Sequence, residues 1–272
     1  MFKITIIVII IISLLPSCTQ TSSFRYNLLS PDKRYELPAV LKEISGVAAV
    51  NDSIIACVGD ELGIVYFYNL AAGQISGQLN FTAKGDFEDL TIIGDTMYVL
   101  NSHGTIWVVK NYRHPNPQIM SYPLNIEKPF ELEGLYHRGN TLYTAAKYYH
   151  NKKRDSKGDL PVWPLSLPSM IVQLPVFSFP DFVHDSSGTE QPFHTSAILY
   201  DEKQKEWLAI STHTKVFLRC NEKGQIIERQ ILTAQEFSQP EGLCFTPSGN
   251  LLISNEGREG PPTILLFTPK KP

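Results

Sequence analysis

Glu131-Leu132-Glu133-Gly134-Leu135 decides the fold of this 272-residue chain, because it is one of five versions of a single phrase. The others are Glu43-Ile44-Ser45-Gly46-Val47, Asp86-Phe87-Glu88-Asp89-Leu90, His194-Thr195-Ser196-Ala197-Ile198 and Gln239-Pro240-Glu241-Gly242-Leu243. Their last residues lie 43, 45, 63 and 45 positions apart, a period of about 45 with ~18 extra residues in the third unit. Self-similarity at such a period marks a repeat architecture.

Working outward from each phrase, the same plan returns. The phrase opens a strand, a Gly/Asp/Asn turn follows, and a second strand runs back: Ser53 to Val58, Thr96 to Leu100, Thr141 to Ala146, Glu206 to Ile210 and Asn250 to Ile253. A third strand comes after a short turn, as in Gly63 to Phe67, Thr105 to Val109 and Lys215 to Leu218. β-Branched and aromatic residues fill these runs, with turn formers between them. Beyond residue 20 no stretch sustains helical periodicity. Units of 40–50 residues with four short strands predict an all-β chain forming a single β-propeller of four-stranded antiparallel blades. Five blades are expected, and the long third unit leaves six open. The last unit ends near Phe267, before a fourth strand, while Arg34-Tyr35-Glu36-Leu37-Pro38 precedes the first unit unassigned. An N-terminal strand completing the last blade closes the ring and removes exposed sheet edges.

The N-terminus reads as an export signal. Lys3 precedes a run from Ile4 to Leu15 that is apolar except for Thr5 and Ser13, too short to span a bilayer and of signal-peptide length. Leu15-Pro16-Ser17-Cys18 resembles a bacterial lipobox, with Pro16 departing from the usual residue. The expected organisation is a lipoprotein signal peptide over 1–17, a tether over 18–33 lipidated at Cys18, and a propeller over 34–272 with an insertion at about 149–168. The expected location is the cell envelope, anchored to the membrane by lipid on Cys18. Thr19-Gln20 lacks the Asp that often retains lipoproteins at the inner membrane, which favours the periplasmic side of the outer membrane.

Composition narrows the function. With 43% hydrophobic and 19% charged residues and a net charge of −3, the chain is globular and lacks the basic footprint of a nucleic-acid binder. Lys152-Lys153-Arg154 is too short a cluster to change that. Cys57, Cys220 and Cys244 sit in strand-like apolar runs with no CxxC spacing, so buried thiols are expected, a Cys220–Cys244 pair staying open.

In a propeller the first strand of each blade lines the axis, so a residue repeated there becomes a ring. One column holds Ser45, Glu88, Glu133, Ser196 and Glu241; another, two residues earlier, holds Glu43, Asp86, Glu131, His194 and Gln239. A two-residue step keeps both on one side of a regular strand. Second-strand turns return to the same mouth with Glu61, His103, Tyr148, His213 and Glu256, beside Asp60, Asn101, Lys147 and Asn255. The insertion is expected to hang over it as a flap bearing Lys152, Lys153, Arg154 and Trp163. Crowded carboxylates need raised pKa values or a cation. Oxygen ligands favour Ca²⁺, held by Glu88, Glu133 and Glu241 with help from Glu43 or Asn101. The structural alternative has the acids accepting backbone N–H groups, with Lys147 neutralising one. Glu43, Asp86, Asn101, Glu131, Lys147 and Glu256 are the candidate ligand-binding residues around the metal.

These phrases, with Tyr98-Val99-Leu100 and Ala145-Ala146-Lys147, resemble the SdiA-regulated (YjiK-like) proteins along nearly the whole mature chain. The resemblance implies an envelope β-propeller and brings no settled activity. Acidic blade-opening phrases also occur in gluconolactonase-like and phytase-like propellers, a weaker similarity. The expected function is binding of a small-molecule or protein ligand at an acidic mouth. The alternative is a calcium-dependent hydrolase of a lactone, ester or phosphoester, with His103 or His213 as general base. No GxSxG frame supports a serine nucleophile, and no HExxH motif supports a transition metal. A third reading is a scaffold using its outer rim.

Overall fold

The computed structural model describes residues 24–126, 130–149, 159–184 and 187–270. Five antiparallel sheets surround one axis. Blade 1 comprises Ile44–Ala49, Ile54–Gly59, Leu62–Asn69 and Gln74–Lys84; blade 2 comprises Phe87–Ile93, Thr96–Asn101, Thr105–Lys110 and Gln118–Pro123. Blade 3 comprises Phe130–Arg138, Thr141–Tyr149 and Leu160–Ser166, with its outer strand split into Ile171–Val172 and Phe177–Phe179. Blade 4 comprises Ala197–Asp201, Glu206–Ser211, Val216–Cys220 and Ile226–Ile231. Blade 5 joins Pro240–Phe245, Leu251–Asn255 and Thr263–Phe267 to the N-terminal strand Lys33–Glu36, which pairs with Thr263–Phe267 and closes the ring. The blades number five; the length of the third unit adds no sixth.

Burial explains the strand sequences. Ala197–Asp201 is buried throughout because inner strands pack between neighbouring blades, whereas Ile226–Ile231 at the outer edge is only half covered. Four apolar clusters fill the inter-blade layers; one, for example, joins Val65 and Phe81 of blade 1 to Leu90 and Val99 of blade 2. Two-residue hairpins at Gly94-Asp95 and Gly139-Asn140 use glycines at φ +60° and +55°, as tight turns matched to strand twist require.

Each acidic phrase contains a β-bulge. Phe87 faces Asn101 and Asp89 faces Leu100, so Glu88 is the extra residue. Glu133 and Glu241 hold the same position between Leu132 and Gly134 and between Pro240 and Gly242. Bulges re-aim a side chain. The expectation that a two-residue step sets both acidic columns side by side is therefore corrected: the bulge breaks the alternation, burying one column and leaving the other at the rim.

The next residue along shows why the phrase carries a small side chain there. Inner strands approach so closely that a Cβ on Gly46 would lie 2.6 Å from Asp89 Cα and 2.9 Å from the Leu90 nitrogen. Blade 2 uses that slot differently. Asp89 Oδ2 accepts the Leu135 N–H at 2.7 Å and Oδ1 accepts the Leu90 N–H at 2.8 Å, stitching blades 2 and 3 together. Here the structural use of an acid foreseen for the phrase is realised, one residue after Glu88. Gly46→Val is expected to destabilise by at least the ~1–3 kcal/mol typical of overpacking, because backbone must move; thermal melts against Ala48→Val measure it.

Two boundaries differ from expectation. Residues 24–32 were assigned to the tether, yet Phe24, Tyr26 and Leu28 are buried in the cluster between blades 4 and 5. The insertion at 149–168 is not all flap. Leu160–Ser166 is a blade strand, with Trp163 buried in it and edge-on to Phe130 at 5.1 Å. Regular pairing with Thr141–Ala145 draws Val162–Ser166 into the sheet. Extra residues instead form the hairpin Phe182–His184/Glu190–Pro192 between blades 3 and 4. Lys152, Lys153 and Arg154 lie outside the described residues, as do Cys18 and the signal segment. The three described cysteines are free and buried. Cys57 and Cys244 share the cluster between blades 5 and 1, while Cys220 packs in another, which overturns the Cys220–Cys244 pair.

Candidate functional site

The three bulge acids converge. Glu88, Glu133 and Glu241 are 8%, 4% and 8% exposed. Burial pushes the Glu133 carboxyl well above the usual range, and the charges of Glu88 and Glu241 push it further. Glu88 rises to about 8, mainly through burial, with Asp86, Glu241 and Glu131 adding to the shift and Lys147 opposing it. Glu241 is also raised by burial, moderated by hydrogen bonds from Gln239, Ser196 and Thr212.

Lys147, on the second strand of blade 3, supplies the compensating charge. Its ammonium lies 2.9 Å from Glu133 Oε1 and 3.8 Å from Glu131, and these acids raise its own pKa against the effect of burial. One ammonium cannot neutralise three carboxylates. Glu133 Oε2 is buried with no hydrogen-bond partner, a costly condition for an ionised oxygen and a mild one for a protonated acid. Among the described residues no group of three or more acid, imidazole or thiol side chains is arranged to hold a metal ion. A Ca²⁺ bound by Glu88, Glu133 and Glu241 would have to displace Lys147 from the Glu133 oxygen.

Two of the bulge acids, Glu133 and Glu241, border a cavity of ≈ 400 Å³ that spreads over blades 3, 4 and 5. Besides these acids, Lys147, Lys215 and Arg258 bring positive charge to its lining. Ser196, Thr212, Ser238 and Gln239 add hydrogen-bonding groups. His194 and His213 stack at 4.8 Å in the wall, and Tyr148 packs on His194 at 5.3 Å. Burial and the neighbouring His213 and Lys147 lower the His194 pKa to about 4, so that ring is neutral near pH 7.

Other expected residues disperse around the rim. Glu43 is exposed beside Asp60, a carboxyl raised by burial and by the Glu43 charge. Asp86 accepts the Ser102 hydroxyl, and His103 stands 3.8 Å from it, 73% exposed and outside the cavity wall. Asn101 braces its own turn, donating to the Asp86 carbonyl at 3.0 Å and accepting the His103 N–H at 3.1 Å. Glu131 contacts Lys147. Glu256 accepts a bond from Gln239, and burial with the Glu241 charge raises it to about 7. Of the two histidines expected to act as base, the cavity takes His213. Sequence reading missed the His194–His213 pair and the Lys215/Arg258 wall. Their signal was the shared register of the mouth turns in blades 4 and 5.

Fold and site together define a five-bladed β-propeller with a polar axial cavity. No protein-family model matches the chain, and no curated protein matches it. Solved structures similar to it include a glutaminyl cyclase from Myxococcus xanthus (TM-score 0.63, 13% identity, 88% of this chain and 95% of that one). A luciferin-regenerating enzyme is also similar (TM-score 0.55, 9% identity, 88% and 95%). So is virginiamycin B lyase from Staphylococcus aureus (TM-score 0.50, 12% identity, 87% and 98%). At these identities the likeness is one of fold, and a propeller fold serves many chemistries.

Proposed function

We propose that this chain is an SdiA-regulated-type envelope propeller, tethered to the outer membrane by lipid on Cys18, whose axial cavity binds a small polar ligand. The ligand places an anionic group against Lys215 and Arg258 and a hydrogen-bonding group on Glu133. The observation that carries this reading is Glu133 Oε2, a buried, unpartnered carboxyl oxygen of a residue that lines a cavity together with Lys215 and Arg258. A ligand atom there would satisfy a group the fold leaves unpaired. Hydrolysis of a lactone, ester or phosphoester at the same mouth is the second reading, favoured by His213 in the wall beside the acidic Glu133. Enzymes of other chemistries among the similar structures fit a catalytic use of this fold without specifying one.

Thermal melts of the full chain in detergent, against panels of carboxylates, phosphates and lactones, test the proposal. A binder at a hundred times its Kd is expected to stabilise by about 2.7 kcal/mol, raising Tm by roughly 5–10 °C. Lys215→Ala, Arg258→Ala and Glu133→Gln should each reduce the response. Stabilisation by Ca²⁺ that EDTA reverses and Glu133→Gln abolishes would assign the ring to the cation. Absence of any Tm response across the panels would sink ligand binding. For the hydrolytic reading, turnover unaffected by His213→Ala would remove it.

A further inference from the structure

We infer that the ligand of the axial cavity carries a planar, unsaturated ring joined to its anionic group, and that the ring lies on the exposed imidazole of His213. This rests on the ligand binding proposed above and names the chemical class that the cavity selects.

Three rings stack across the seam between blades 3 and 4. Tyr148, near the end of Thr141–Tyr149, is held through its hydroxyl by a hydrogen bond to Glu131. Its ring packs on His194 at 5.3 Å, tilted by 41°. His194, just ahead of the inner strand of blade 4, lies on His213 at 4.8 Å with the rings 29° from parallel. Such a spacing is that of offset-stacked π systems. Burial, helped by His213 and Lys147, keeps His194 neutral near pH 7, so two imidazolium charges do not meet in the stack. His213, in the turn between the second and third strands of blade 4, is the most exposed of the three. His194 covers one face of its ring, so the exposure comes from the other face and the edge. Both imidazoles line the ≈ 400 Å³ cavity, which places that aromatic surface in a site of small-molecule size.

The same lining supplies the contacts for an anion. Lys215 follows His213 by two residues in the same turn. It spends one of its three N–H donors on the Ser238 carbonyl at 2.5 Å, which fixes the ammonium in the cavity lining. Burial lowers the Lys215 pKa, Glu241 opposes that, and the Arg258 charge lowers it further. Two cations close enough to repel are stabilised by an anion that touches both. Arg258 forms no ion pair among the described residues, and its planar fork suits a carboxylate or a phosphate. Because His213 and Lys215 share one turn, a ring joined directly to the anion makes both contacts at once. A saturated ring has no π face to offer and is thicker than a flat one, so it loses the stacking while keeping the charge contact.

The test uses the full chain in detergent and two matched pairs of probes, with Kd read by isothermal titration calorimetry. One pair is benzoate and cyclohexanecarboxylate; the other is phenyl phosphate and cyclohexyl phosphate. The carboxylates cannot be hydrolysed and so read binding alone. The aromatic member of each pair is expected to bind roughly three- to tenfold more tightly, the gain typical of a stacked ring. His213→Ala should abolish that preference, whereas His213→Phe, which keeps a ring and removes the imidazole, should retain it. Lys215→Ala should weaken every probe. Equal affinities within each pair overturn the inference and, where Lys215→Ala still weakens the probes, leave ligand binding at the cavity in place. A preference that survives His213→Ala also overturns it and assigns the ring stack to bracing the seam between blades 3 and 4. If no probe binds, or if Lys215→Ala weakens none, the cavity reading itself falls and the inference falls with it.

Discussion

Lys147→Met is expected to cost about 3–5 kcal/mol of stability at pH 8, the loss typical of a buried pair deprived of one partner. The ammonium is 2.9 Å from Glu133, and Glu88 and Glu131 also lean on it. Its removal leaves several buried or half-buried acids facing one another. The penalty should shrink as pH falls, because protonated acids no longer repel. Adding Glu133→Gln should restore much of the loss. The native chain has a matching pH profile. Glu88, raised from 4.5 to about 8, binds its proton more tightly when folded. Its contribution is full below the unfolded pKa and is lost as pH rises toward 8. Glu256, raised to about 7, acts in the same direction over a narrower window. Tm should therefore decline between pH 5 and 8, and Glu88→Gln should flatten that slope. A Lys147→Met chain as stable as the native one at pH 8 would show that the ammonium compensates nothing.

Arg219→Met is the second large effect, again about 3–5 kcal/mol. Arg219 is 2% exposed, holds Glu206 with two bonds of 2.8 and 3.0 Å, and also reaches Glu228. Truncation strands Glu206, itself 7% exposed, inside blade 4. Arg219→Met with Glu206→Leu should recover most of the stability, since an apolar pair of similar volume avoids both desolvation costs. Urea melts of the singles and the double measure the coupling. Additive losses would mean that the pair is not the source.

The fold was legible because five phrases repeat at nearly constant spacing and because Lys33–Glu36 had no partner except the incomplete last blade. Blade 3 was harder: its third strand, Leu160–Ser166, contains two prolines, Pro161 and Pro164, residues that weaken a strand signal. The second strand of that blade nevertheless draws the run into the sheet. Phe24, Tyr26 and Leu28 carry a period-two apolar pattern, the signal that this stretch packs, obscured by its place after the lipobox. In the site, the acids could be read as a ring, but the cause could not. Bulges at Glu88, Glu133 and Glu241 turn these side chains inward, and no local pattern announces a bulge. Nor does sequence show whether Lys147 meets the acids as their counter-charge or a cation does so in its place. The His194–His213 stack needs residues 19 positions apart to meet across a blade edge, which becomes visible only once the strands are paired.

Carbon-13 titration of the glutamate carboxyls in the full chain tests the convergence most directly. With Glu88, Glu133 and Glu241 gathered around Lys147, their signals should titrate above the ordinary carboxylate range, and the two survivors should shift when the third is replaced by glutamine. Three signals titrating independently near pH 4–5, each indifferent to its neighbours, would contradict a shared buried site.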